Sequence, residues 1–375
     1  MRNQPGWTVT NSDIHPIMAW IVMSNRSDSP PNAVIMTDLA LSEFGSPGTP
    51  VGQAHSRMRD SQWTRLGEKV VLAFVLGGAM LSGGCSLRSM AVNAIVPTLA
   101  NPDVYLSEED PELVRDSLPF LLKTIESILD TSPEQEEALI FACTGFTLYG
   151  NAFLQVDADL AELEGDYERE LRLRDRTWRL YVRARSYCLR SLELKYDGIT
   201  ERLRQDAVAA LAVTDVDDVE VLFLLSAAWG LAISNAQTPA LVADLPAVRE
   251  LLARALELDE DYERGSLHSA FITIEALPPE LGGSPERARM HFDRAVELSD
   301  GLDAAPFVAF ASGVSVPAEN RAEFQQLLDQ ALAIDPDEDT NLRLLNKVNQ
   351  KRARMLLDHI DDLFFDPVGT EETLP

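Results

Sequence analysis

Four stretches of this chain repeat one short pattern, and that recurrence limits the fold more than any other feature. SLELKYD (191–197), ALELDED (255–261), AVELSDG (295–301) and ALAIDPD (331–337) each run a small residue, Leu or Val, Glu or Ala, Leu or Ile, then an acidic turn. Their starts are 64, 40 and 36 residues apart. The last two offsets lie near the roughly 34-residue period of tetratricopeptide (TPR) repeats with loop insertions, and the first accommodates two periods. Ala331 and Pro336 stand five apart, as at the end of the second helix of such a repeat. Two of the four pattern units close an amphipathic face: Val248, Leu251, Leu252, Ala255 and Leu258 form one, Phe324, Leu327, Leu328, Ala331 and Ile334 another. Candidate first helices precede them at 219–235 and 268–277. A helix pair of this kind cannot bury its apolar face alone, so neighbouring pairs must stack. The expected fold is all-α, with TPR-like helix-hairpin repeats stacked into a superhelix over residues 85–375. An irregular helical bundle is the alternative.

Helix starts are written in the same region. SPEQ (132–135) offers Ser132 as an N-cap, Pro133 at the first helical position and Gln135 to complete a capping box; SPE (284–286) repeats the Ser cap and Pro start.

The first 84 residues read differently. Val70–Leu81 is an apolar run of 12 residues, too short for a bilayer span of about 20 but within the length of a signal-peptide core. Arg59, Arg65 and Lys69 precede it; Ser82-Gly83-Gly84 and Cys85 follow. That order is the pattern of a bacterial lipoprotein signal, with Cys85 as the lipidated residue, although Ser82 stands where such signals usually carry Leu. A buried apolar helix is the plainer alternative. Met58 opens a conventional signal peptide over 58–84. Residues 1–57, rich in Pro, Ser, Gly and Asn without helical or strand period, then read as a start assigned too far upstream or as a disordered extension.

Residues 1–84 hold six Lys/Arg and six Asp/Glu, so the whole net charge of −28 belongs to the chain from Cys85 onward. Such a surface repels nucleic acid and disfavours lying flat on anionic lipid. A lipid tether would hold a soluble body near the membrane and leave it unembedded. Cys143 and Cys188 lie in apolar helical segments and read as buried free thiols; a disulfide in an oxidising compartment is the alternative.

Few residues advertise chemistry. His268 and His291 read as surface or inter-repeat packing residues, and no histidine has the partner spacing of a zinc site. DPDEDTN (335–341) alternates acids like a calcium loop, but Thr340 and Asn346 stand where Gly and Glu are required. LGG (281–283) reads as an inter-helix turn. Nothing gathers a nucleophile, a base and a charge stabiliser, so no enzyme, cofactor or metal is expected. The exceptional segment is ERELRLRDRTWRLYVRARSYCLR (168–190), where Arg172, Arg176, Arg179, Arg183 and Arg190 share a helical face. They are candidate contacts for a carboxylate ligand or an acidic partner, or are neutralised by the acids at 157–168. Trp229 either lines a groove for an apolar ligand or packs in the core.

Three stretches carry a resemblance: SLPFLLKTIESILDTSPEQEEALIFACTGFTLYGNAF (117–153), LPPELGGSPERARMHFDRAVELSDG (277–301) and LRLLNKVNQKRARMLLDHIDDLFF (342–365). In them the chain resembles the T-component (TatT) lipoproteins of TRAP-type (tripartite ATP-independent) transporters, over roughly 86–366. The resemblance implies a periplasmic auxiliary subunit anchored to a bacterial membrane through Cys85. It further implies a homotrimer that binds the transporter's solute-binding protein and holds an apolar or carboxylate ligand in apolar clefts. A general scaffold lipoprotein in envelope or outer-membrane assembly is the alternative.

Overall fold

A computed structural model describes residues 96–99, 101–236 and 239–364. Residues 1–57, the signal segment 58–84 and Cys85 lie outside the described residues. Among the described residues every regular element is helical. The helices are α1 (Asp103–Leu106), α2 (Pro111–Thr131), α3 (Glu136–Tyr149), α4 (Val156–Leu163), α5 (Tyr167–Lys195), α6 (Ile199–Gln205), α7 (Ala207–Leu211), α8 (Val219–Ser234), α9 (Leu245–Leu258), α10 (Ser266–Glu275), α11 (Pro285–Leu298), α12 (Ala305–Phe310), α13 (Arg321–Ala333), α14 (Arg343–Asp358) and α15 (Ile360–Leu363).

Sequence neighbours pack on one another: α2 on α3, α3 and α4 on α5, α8 on α9, α10 on α11, α12 on α13 and α13 on α14. The recurrent pattern marks the ends of α5, α9, α11 and α13. Its small residues, Ser191, Ala255, Ala295 and Ala331, are all buried. A small side chain there lets a second helix come close, and the α10–α11 pair shows how close. Gly265 has φ +97°, and a Cβ on it would lie 3.1 Å from Leu298 Cβ and 3.3 Å from Ala295 Cα. Any L residue would be strained there both by its backbone and by its neighbours.

Helix starts follow local chemistry, with one correction. Asp110 caps α2 by accepting from the amides of Glu112 and Leu113, with Pro111 at the first position. Ser284 caps α11 as its sequence suggests, accepting from the Arg287 amide. Ser132 does not cap α3. Its own amide donates to Ile128 O, which makes it the C-cap of α2, and α3 begins only at Glu136. An N-cap side chain bonds the second or third amide of its helix, and Ser132 stands too early for a helix that starts at Glu136, where Gln135 holds the cap position without a side-chain cap bond.

Cys143 on α3 and Cys188 on α5 form a disulfide, with Cα atoms 5.5 Å apart. The expectation of free thiols was wrong. Both are fully buried, as expected, but they face each other where the two helices pack.

The stretch from α3 through a π-helical segment (Gly150–Gln155) into α4 is apolar and long enough for a membrane span, yet most of it is buried in the fold. It reads as a core helix. The last long helix, α14, returns to the start: Arg343 donates to Ser107 O at 2.9 Å and Lys347 to Glu109 O at 2.8 Å. The largest apolar core is built mainly on α2–α10, and a second, phenylalanine-rich one (Phe292, Phe307, Phe310, Phe324, Phe364) on α11–α15.

Candidate functional site

The 29-residue helix α5 carries eight arginines. It starts at an Asp166 cap that accepts from the Arg169 amide. Most of the acidic run before it is used at its N-terminal end. Arg174 pairs with Asp159, Glu162 and Glu170 at 3.3, 2.5 and 2.8 Å, and Glu164 lies 3.5 Å from Arg169. Asp157 instead pairs with Arg115 on α2.

Arg172, Arg176, Arg179, Arg183 and Arg190 do share a face, as their spacing requires. Arg172 pairs with Glu168 at 2.5 Å, Arg179 with Asp175 at 2.8 Å and Arg183 with Glu126 at 2.8 Å. Arg190 donates to Pro133 O, and the Arg176 guanidinium sits 6.0 Å from the Tyr149 ring centre. Arg172 and Arg179 keep 63% and 70% of their side chains exposed. Glu126 also accepts from Tyr187 and Lys123, and these partners hold its carboxyl below the usual value against the cost of burial. The face is solvated, and its Glu168 and Asp175 pairs are of the exposed kind, while Glu126 is mostly buried.

The opposite stripe of α5 is different. At 100° per residue, Tyr167, Leu171, Trp178, Val182 and Arg185 fall within a narrow sector. Tyr167 and Leu171 are 69% and 46% exposed; the three beyond them are partly buried. Arg185 stacks on Trp229 of α8, its guanidinium carbon 4.0 Å from the ring centre. Trp229 is 1% exposed and donates its Nε1–H to Asp244 at 3.1 Å, so it belongs to the core. Arg185 makes no ion pair or hydrogen bond among the described residues, and its Nε is buried without an acceptor. Seven residues earlier on the same stripe, about two helical turns, the buried Trp178 Nε1 also lacks an acceptor. Burial pulls the Arg185 guanidinium below its ordinary value; nearby Asp244 opposes that and Arg204 adds to it. Sequence reading missed Arg185 and Trp178, although their seven-residue spacing, two helical turns, was available to find them.

A second polar centre lies in the α10–α11 hairpin. Glu275, 2% exposed, is held between Arg249 and Arg287, and both arginines also donate to Gly282 O. This network fixes the LGGS turn, where a Cβ on Gly283 would meet Leu277 O at 1.7 Å. Beside it, His268 Nδ1 and His291 Nδ1 are 2.8 Å apart, and His291 stacks on Phe271 at 4.6 Å. Both histidines are buried within the hairpin. Burial holds both imidazoles below their ordinary value, His291 at about 4.

The Asn and Arg of the 342–365 stretch are staples. Asn346 accepts from Ala304 N and donates to Leu302 O, both at 2.8 Å. Gln350 donates to Ala331 O and Ile334 O at the end of α13, and Arg352 to Asn151 O in the π-helical segment. The acids of 335–341 form turns: Asp335 accepts from the Asp337 amide and Asp339 from the Asn341 amide.

Comparison with known proteins agrees with these motifs. A family described as TRAP transporter T-component matches residues 107–364. An uncharacterized protein of Treponema pallidum (strain Nichols) is 31% identical over 317 residues, covering 79% of this chain and 98% of its own length.

Proposed function

The chain belongs to the TRAP transporter T-component family, and from that premise we propose that it is the periplasmic auxiliary subunit of a TRAP-type uptake system, tethered through a lipid on Cys85. Membership points to a transport role and to association with other TRAP subunits. In our reading the partner is the periplasmic solute-binding protein, the protein acts as a homotrimer, and its helix hairpins stack as a TPR-like superhelix. The face of Arg172, Arg176, Arg179 and Arg183 is the surface we assign to an acidic patch of that partner. Trp229 we assign to the support of a site for an apolar or carboxylate ligand.

The observation that carries this reading is the family match, which takes in the Glu275–Gly282–Arg287 turn and the Asn346 and Arg352 staples. The Cys143–Cys188 disulfide supports an oxidising compartment, since such bonds form and persist outside the reducing cytosol. Tethering both proteins near one membrane would raise their effective concentration, so a weak contact suffices.

The test is affinity recovery of the full-length protein, tagged at its C-terminus, from mildly solubilised native membranes. A solute-binding protein in near-stoichiometric amount supports the proposal. Recovery of outer-membrane assembly or cell-wall machinery instead would replace transport with a scaffold role. Cys85→Ala should move the protein from the membrane fraction to the soluble one; unchanged membrane association would remove the lipid anchor from the proposal.

A further inference from the structure

We infer that Arg185, framed by Trp178 and Trp229, receives the carboxylate of an organic acid whose apolar tail runs along α5 toward Leu171. The inference deepens the transport reading and rests on it, since it names the class of molecule the subunit would hold.

Three observations carry it. First, Arg185 is the one α5 arginine that combines stacking on a fully buried ring with a buried, unpartnered Nε–H among the described residues. A guanidinium loses part of its hydration in such a place and gains it back only from an acceptor. Its terminal nitrogens form no hydrogen bond among the described residues and, unlike Nε, are not fully buried. A carboxylate matches that fork bidentately.

Second, Asp244 is the acid that acts on Arg185 among the described residues, and it accepts from Trp229 Nε1 instead of pairing with the arginine. The protein keeps its own carboxylate engaged on the ring beneath the arginine. Arg204, close enough to oppose the charge of Arg185, favours an anion in the same place.

Third, Val182, Trp178 and Leu171 form an apolar line leading away from Arg185, bordered by Arg174 with its three engaged carboxylates, and it becomes progressively more open. Val182 and Trp178 are partly buried, and Leu171 is 46% exposed. From Arg185 to Trp178 is roughly 10 Å along the helix and to Leu171 roughly 21 Å, at about 1.5 Å per residue. An acid of medium chain length with its head on Arg185 would lie over Trp178. The orphan Trp178 Nε1–H then marks the limit of the dry contact, where a polar substituent on the ligand or a water could accept.

Trp178 and Trp229 make the site observable by fluorescence. The full-length protein in lipid nanodiscs would be titrated with butyrate, octanoate and dodecanoate, with protein-free nanodiscs subtracted and 1-octanol as the uncharged control. The expected result is a saturable change in tryptophan emission with octanoate or dodecanoate, weaker with butyrate and absent with 1-octanol. Arg185→Gln should weaken binding at least tenfold while the thermal midpoint is retained, and Arg185→Lys should recover part of it. Binding unchanged in Arg185→Gln, equal binding of 1-octanol, or no saturable change with any of the three acids would each overturn the inference. If Arg185→Gln instead loses the solute-binding protein in the membrane pull-down and no acid binds, the carboxylate belongs to that protein and the small-molecule site is refuted. Failure of the titration with the solute-binding protein still recovered refutes this inference alone; failure of the recovery itself refutes the transport reading beneath it.

Discussion

Glu275 and Arg185 are both charged groups taken into the helical body, and they are treated oppositely. Glu275 is clamped by Arg249 and Arg287, which also bond Gly282 O and so tie three helices and a turn together. Arg185 has a fully buried indole beneath it and no carboxylate on it. A buried charge that serves the fold is paired, because leaving it uncompensated costs more than the fold gains. The difference teaches that pairing, more than burial or helical spacing, separates polar groups that hold the structure from one left for something else to complete.

The largest effect should come from the bond that holds the Arg185-bearing hairpin. Reducing Cys143–Cys188 or replacing both with Ser opens a 45-residue loop, which by chain entropy costs about 4 kcal/mol. Urea unfolding with and without reductant measures it, and a loss under about 1 kcal/mol would show that packing alone holds α3 on α5. Next is Glu275→Ala, which strands Arg249 and Arg287. With Arg287 half-exposed, the cost should sit at the lower end of the buried-pair range, about 3 kcal/mol.

The histidine pair beside Glu275 gives the third test. Glu260, Asp261 and Glu275 face the pair, as do Arg249, Arg287 and Arg294. Both imidazoles are held low, so the unfolded chain takes up protons on them at higher pH than the folded one does. The stability they allow is present above pH 6.5 and is lost as pH falls toward His291's value of about 4. The loss across that window is roughly 2–3 kcal/mol. His291→Phe keeps the stack on Phe271 and should flatten the slope of stability against pH; an unchanged slope would assign it to carboxylates instead. Smallest of all, Arg172→Ala and Arg179→Ala should each change stability by less than about 0.5 kcal/mol, and any larger loss would make the outer face part of the fold.

Much of this organisation is legible in the sequence wherever a residue acts on its own chain neighbours. The recurrence is found at helix ends because its small residue must stand where a second helix touches. Ser284 caps α11 because Pro285 and the Arg287 amide are local. What could not be read depends on partners distant in sequence. Cys143 meets Cys188 only once α3 lies on α5, and Ser132 is claimed by the helix before it. The five-arginine stripe drew attention through its number, yet Glu126, Asp175 and Glu168 occupy most of it. The two-turn spacing of Trp178 and Arg185 was legible, but that Arg185 lacks a partner among the described residues shows only in the folded structure. Trp229, read as either groove or core, lies in the core and still touches the candidate site through Arg185.

The most direct test of the contrast is equilibrium urea unfolding of Arg185→Met beside Glu275→Ala, in the same buffer with no added acid. Removing Arg185 forfeits a cation–π contact of about 1 kcal/mol but relieves a buried donor without an acceptor. The account predicts a midpoint within about 1 kcal/mol of the parent protein or above it, while Glu275→Ala falls well below. A loss in Arg185→Met as large as that in Glu275→Ala would show that Arg185 already serves the fold and is not waiting for a ligand.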